Sequence, residues 1–259
     1  MVTKNLTLYP VDVASIRPVL AKYRNNTILW RVLYWIAEEG LSTYADIAWA
    51  MGMNLSTAEK KNSGMKRVRR SCAVLEKEAL IKLHKLRLPY GLKLTAMRLT
   101  DKGKSYCARN YGWHPCQTDW EKLIKAHNGI NWDRHSAAVL NFAYHARLRG
   151  WHVTVLPEEN TTRRKPDVLI LKDRKLIFVE IETRGFRAAG KESKWRNQDQ
   201  IQKGVAICMM TNAAAKNVAS MLEENYFLNY QVTSLMFLQS TAYTGNGPGD
   251  LWLVNYPQL

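Results

Sequence analysis

From Thr27 to Glu39 the apolar residues Ile28, Val32, Trp35 and Ile36 fall at helical spacing, which predicts a helix that Gly40 stops. Thr43 is placed to cap a second, short helix over Tyr44–Met51, and Gly52 then turns the chain. Ser56 and Glu59 have the spacing of a capping box for a third helical start. Over Met65–Ala79 the residues Met65, Val68, Cys72, Leu75 and Ala79 form one apolar stripe, while Lys66, Arg67, Arg69 and Arg70 fall mainly on other faces. The period then changes. Leu80–Leu86 alternates, Pro89-Tyr90-Gly91 breaks the run and Leu92–Leu99 resumes an extended pattern, so a hairpin follows the helix.

Between Asn110 and Asn131 the pattern loosens around Gly112, Pro115 and Gly129. This predicts a linker over 112–130, between an N-terminal domain at 1–111 and a C-terminal domain at 131–259. Trp132–Arg149 reads as a helix and Trp151–Leu156 as a strand. Beyond the polar loop Pro157–Lys165, the strands Asp167–Leu171 and Leu176–Thr183 flank a polar connection, Lys172-Asp173-Arg174-Lys175. A helix over Lys191–Ile201, a buried strand over Gly204–Thr211, a helix over Ala213–Glu224 and a strand over Val232–Gln239 complete the pattern. The tail, Gly245–Leu259, reads as a last strand or an oligomerisation segment. The expected fold is α/β (α+β) with two domains.

The chain has 259 residues, 46% of them hydrophobic, which excludes a disordered or collagen-like class. Its longest apolar runs fall short of the ~18–20 residues that cross a bilayer. Met1–Pro10 lacks a basic segment leading into an apolar run, so no secretory signal is expected. The four cysteines show no paired spacing, which fits a reducing, cytoplasmic setting. Cys107, His114, Cys116 and His127 match none of the short zinc-ligand patterns.

Charge changes the picture. The 38 Lys and Arg against 22 Asp and Glu give +16, and residues 56–109 alone hold 15 basic and 4 acidic side chains. Such a concentrated excess attracts polyanions, because each neutralised phosphate releases condensed counterions. Double-stranded DNA is the expected partner. A membrane surface is disfavoured, because the basic stretch has no broad apolar face. An amphipathic helix with cations in its first turns, followed by a basic hairpin, suits a major-groove reader. The candidate DNA contacts are Lys66, Arg67, Arg69 and Arg70 on the helix and Lys82, Lys85, Arg87 and Lys93 on the hairpin. The same residues also fit a solvated basic face on a domain that binds protein.

The second hairpin carries the candidate chemistry. Counting outward from its turn, Leu171 faces Leu176, Leu169 faces Phe178 and Asp167 faces Glu180, while Glu182 projects from the same face as Glu180. At ~5 Å and an effective dielectric of ~20, each charged pair repels by about 3 kcal/mol. A divalent cation removes that repulsion, and clustered carboxylate oxygens suit Mg²⁺ or Mn²⁺. Asp167, Glu180 and Glu182 are the expected metal ligands, with Lys194 and Gln198, four apart on one helical face, to orient an attacking water. Asp133 and His135 could add a ligand or a proton acceptor, but read first as a cap and a packed polar residue. Exposed carboxylates balanced by Arg163, Arg164, Lys165 and Arg184 are the plainer alternative.

Three resemblances bear on function. The order of helices and hairpin, with "RRSCAVLEKEALIKL" and "MRLTDKGKSYC", resembles a winged helix-turn-helix over roughly residues 25–110. Pro166-Asp167 followed by Glu180-Ile181-Glu182 resembles the PD-(D/E)xK, or restriction-endonuclease-like, nucleases over roughly residues 130–240. Glu182 stands where that superfamily has a lysine, an E-x-E form similar to that of some active restriction enzymes and also compatible with a degenerate copy. The whole chain, with "RHSAAVLNFAYHARLRGW", "RRKPDVLI" and "FVEIETRG", is similar to the replication-relaxation family of plasmid and mobile-element proteins. These resemblances imply a Mg²⁺-dependent DNA endonuclease or nickase, acting alone, as a homodimer or with an element-encoded partner. The alternative is a non-catalytic replication or transfer regulator that keeps a degenerate nuclease fold.

Overall fold

The computed structural model describes residues 27–88, 93–112, 114–127, 133–157, 166–183, 191–243 and 248–256. Its first part holds three helices, α1 (Thr27–Ala37), α2 (Tyr44–Ala50) and α3 (Ala58–Lys77). An antiparallel hairpin of β1 (Ile81–Arg87) and β2 (Lys93–Leu99) follows, and then α4 (Asp101–Tyr111). Gly40 ends the first helical stretch at φ +67°, and a Cβ there would lie 2.8 Å from the Gln117 carbonyl oxygen. Thr43 caps α2 as expected, accepting from the Asp46 N–H at 3.1 Å. The third cap lies one residue later than the capping-box pattern places it. Thr57, not Ser56, accepts from the Lys60 N–H, while the Ser56 N–H donates to the Asn54 side chain. As a result α3 starts seven residues before Met65, and Ala79 lies beyond its end, exposed and at φ +56°.

Within the segment read as a linker, the described residues 114–127 include a helix. Thr118 and Glu121 form a complete capping box for α5 (Asp119–Ala126), whose Trp120 and Leu123 are buried. Gly112 and Pro115, which loosen the sequence pattern, precede this helix, and Gly129 lies outside the described residues.

The second part begins with α6 (Asp133–Leu148) and builds one six-stranded sheet in the order β3-β4-β5-β6-β7-β8. The strands are β3 (His152–Val155), β4 (Val168–Lys172), β5 (Lys175–Glu182), β6 (Val205–Met209), β7 (Tyr230–Ser234) and β8 (Val254–Tyr256). Neighbouring pairs are antiparallel except β5–β6 and β6–β7, which are parallel and crossed over by α7 (Lys191–Gln202) and α8 (Asn212–Glu224). Every residue of β6 is buried, as a parallel strand covered on both faces requires. On one face Val179, Ile181, Ala206 and Cys208 pack with α6; on the other Val205, Ile207 and Met209 pack with Trp195 of α7 and Val218 of α8. The strand expected over Val232–Gln239 stops at Ser234. The Ser234 hydroxyl accepts from the Phe237 N–H and so caps a short helix, α9 (Leu235–Ser240).

Helix α6 joins the two parts. Leu86, Leu88 and Ala96 of the first hairpin share one core with Trp120 of α5, with Leu140 and Phe142 of α6 and with the sheet. Tyr144 belongs instead to the core of α1, α2 and α3. The Arg147 guanidinium donates to Asp46 Oδ1 at 2.9 Å and to Asp119 Oδ2 at 2.8 Å, with all three side chains buried. The Lys61 ammonium of α3 lies 5.4 Å from the Tyr144 ring centroid and 4.7 Å from that of Tyr243.

Candidate functional site

Asp173 and Arg174 both take positive φ (48° and 65°), the backbone of a two-residue hairpin turn that matches strand twist. The register follows as expected, with Leu171 opposite Leu176 and Leu169 opposite Phe178, up to Val168 opposite Val179. The pairing ends there, and Asp167 lies one residue before β4. Asp167 is 8% exposed and Glu180 5%. Asp167 Oδ2 accepts from the Ile181 N–H at 2.8 Å, and Asp167 Oδ1 lies 3.0 Å from His135 Nε2. From α7, Lys194 Nζ lies 2.5 Å from Glu180 Oε2 and 3.9 Å from Glu182 Oε1. The three acids and Lys194 are therefore brought together.

The electrostatics are unevenly shared. Burial, and then the Asp167 charge, push Glu180 up to about 7 against the pull of Lys194. Burial also acts to raise Asp167, but the hydrogen bond and charge of His135, the Lys194 charge and the Ile181 N–H together hold it below its ordinary value. His135 is displaced upward, its burial outweighed by Asp167. Lys194 is raised as well, because Glu180, Asp167 and Glu182 overcome the cost of burial. Among the described residues, Lys194 is thus the cation that Glu180 and Glu182 share, while Asp167 is held by His135 and the Ile181 N–H.

Gln198 does not join the acids. Its Nε2 donates to the Phe178 carbonyl at 2.6 Å, and its Oε1 is buried with no hydrogen-bond partner among the described residues. Gln202 accepts from the Phe178 N–H at 2.8 Å and donates back at 3.2 Å. Pairing between β5 and β6 begins only at Val179, so these two amides stand in for the missing strand at Phe178. Gln198 is a strand clamp, which spacing on α7 could not reveal.

His135, which reads from the sequence first as a packed polar residue, is packed against Asp167 by a 3.0 Å hydrogen bond. Its only signal is its position near the start of α6, two residues after Asp133. The His127 ring stands nearly perpendicular to it, at a centroid distance of 5.1 Å. Burial and the His135 charge lower the His127 pKa. Among the described residues, no three His, Cys, Asp or Glu side chains are gathered in a way that could hold a metal ion as placed. Lys194 supplies the counter-charge instead. The side chain of Lys191 and the cations Arg163, Arg164, Lys165 and Arg184 lie outside the described residues.

The eight candidate nucleic-acid contacts are all exposed: Lys66, Arg67, Arg69 and Arg70 on α3, Lys82, Lys85 and Arg87 on β1, and Lys93 on β2. Gly64, Val68, Ser71, Cys72 and Leu75 form the buried side of α3. The Arg69 guanidinium lies 5.5 Å from the Tyr44 ring centroid. The underside of the first hairpin rests on α5 and α6. His84 of β1 lies 5.6 Å from the Trp120 ring and interacts electrostatically with Asp133, two residues from His135. The basic hairpin thus packs beside the end of α6 that reaches the acids.

No protein-family model matches the chain, and no curated protein matches it. Among solved structures it is similar to protein VC1899 from Vibrio cholerae, at 11% identity and a TM-score of 0.28, over 90% of this chain and 59% of that one. No helix among the described residues is long and apolar enough to cross a membrane.

Proposed function

We propose that the chain is a Mg²⁺- or Mn²⁺-dependent DNA endonuclease or nickase of a plasmid or other mobile element. In this reading a winged helix-turn-helix formed by α1–α3 and the β1–β2 hairpin holds duplex DNA, and a restriction-endonuclease-like domain cuts it. The observation that carries the reading is the convergence of Asp167, Glu180 and Glu182 with Lys194 at one end of a buried hairpin. The donor set is all oxygen, as suits a hard divalent cation, and Lys194 supplies its counter-charge as placed. Asp167, Glu180 and Glu182 would hold that ion, which would supply Lewis-acid chemistry to a phosphodiester.

The remaining work falls to side chains of this chain. His135 and the Ile181 N–H fix the orientation of Asp167. Lys194 brings a positive charge to the acids at the point where a phosphate would enter. The α3 and hairpin cations would hold the DNA backbone, and the hairpin packs on α6, the helix whose His135 reaches Asp167.

Incubation with supercoiled plasmid in Mg²⁺ and in Mn²⁺ tests the reading. Open-circular or linear product is expected, and it disappears with EDTA and with Asp167→Ala. One observation favours a second reading, a non-catalytic DNA-binding regulator: the Lys194–Glu180 pair already supplies an internal counter-ion. A plasmid that carries the element's own origin, and stays intact while bound, selects that reading.

A further inference from the structure

A cleft of 430 Å³ opens between α1, the turn after α2 and the first half of α3, well apart in sequence from the acidic hairpin. That volume falls within the ~300–1,000 Å³ of small-ligand sites. Arg31, Lys60 and Arg67 stand around it, and among the described residues no carboxylate lines it. The cations on α3 therefore differ in setting, and Arg67, one of the candidate DNA contacts, also lines the cleft. Lys60 and Arg67, seven residues apart, share the flank of the helix that lines the cleft, whereas Lys66 and Arg70 do not line it.

The cleft is built rather than merely charged. The Arg31 guanidinium is oriented by a 3.1 Å hydrogen bond from Nη2 to the Met51 carbonyl, leaving its other N–H groups to donate. Ile28, Met51 and Met53 supply an apolar wall, and methionine sulfur makes favourable contacts with flat aromatic rings. Asn54 and Ser63 add hydrogen-bonding groups beside that wall. A ligand that satisfies both sides carries a compact multivalent anion joined to a planar, partly apolar body.

We propose that this cleft binds a nucleotide, with its phosphate among Arg31, Lys60 and Arg67 and its base against Met51 and Met53. That chemistry has two sources, a free mononucleotide and the 5′-phosphorylated end of a strand. The site is independent of any cleavage at the acidic hairpin.

Calorimetric titration of the full chain tests this with AMP, adenosine, inorganic phosphate and a short 5′-phosphorylated single strand. AMP binds, and adenosine and inorganic phosphate each bind about tenfold more weakly or worse, because each engages one half of the site. Arg31→Gln and Lys60→Gln each weaken AMP by about tenfold, since each removes a charge-assisted contact. Both side chains are exposed, so the melting temperature stays unchanged. Lys216→Gln, on the distant helix α8, leaves AMP binding as it was. Tighter binding of AMP than of the strand assigns a free nucleotide; tighter binding of the strand assigns a strand end. Equal binding of phosphate and AMP, no binding of AMP or the strand, or affinity indifferent to both substitutions overturns the proposal.

Discussion

Two buried charge clusters in this molecule use similar parts to opposite ends. At the junction of the two halves, Asp46 and Asp119 flank Arg147, and each carboxylate receives its own guanidinium nitrogen at 2.8–2.9 Å. The Thr43 hydroxyl donates to the remaining oxygen of Asp46 at 2.7 Å. Arginine has the planar fork to serve two acids at once, and the cluster is closed. At the acidic hairpin, among the described residues, Glu180 and Glu182 share Lys194, a point charge on a flexible stem, and Glu180 is pushed up to about 7. The first cluster is saturated and ties elements together. The second gathers three carboxylates around a flexible ammonium, with burial and the Asp167 charge raising Glu180.

The contrast can be broken at either end. The largest effect is expected at the closed cluster, where Arg147→Ala strands two buried aspartates and costs about 3–5 kcal/mol of stability. Chemical denaturation measures this; a loss under about 1 kcal/mol would mean that the cluster is not closed. Asp167→Ala comes next, lowering plasmid cleavage roughly a hundredfold or more while DNA affinity holds. Gel assay and fluorescence anisotropy on one preparation separate the two readouts.

The third effect is a pH dependence in metal-free buffer. Between pH 4.5 and about 7, native Glu180 keeps a proton that the unfolded chain has released. Stability is therefore full below that window and declines as pH rises through it, by about 3 kcal/mol. Glu180→Gln flattens the profile. Added Mg²⁺ raises the melting temperature more at pH 8 than at pH 5, because the ion favours the ionised carboxylate. No such shift would make the acidic cluster a second structural one, neutralised by Lys194 alone. The smallest effect belongs to the exposed cations: Lys66→Gln or Arg70→Gln weakens all duplexes alike and reduces the salt slope by about one.

How much of this was legible follows from what lies close in sequence. The acidic hairpin was readable because alternation and a short polar connection fix a register, and the acids fall on it by counting. Lys194 was reachable through the helical period. The role of Gln198 was not, since it depends on β6 starting too late to pair with Phe178. The Arg147 cluster left no local trace: its partners lie 101 and 28 residues away in the chain. The strand over Val232–Gln239 overran because its apolar residues continue into α9, and only the Ser234 cap marks the change.

The position of α6 in both cores has a consequence for how the chain unfolds. Separating the halves would bare Leu86, Leu88 and Trp120 on one side and Tyr144 on the other, so neither half ends in a finished surface. Heat should melt the chain in one cooperative transition, and residues 1–111 made alone should aggregate. The helical half and its hairpin are therefore not a detachable module: their surface is finished only by α6 and the sheet beneath it.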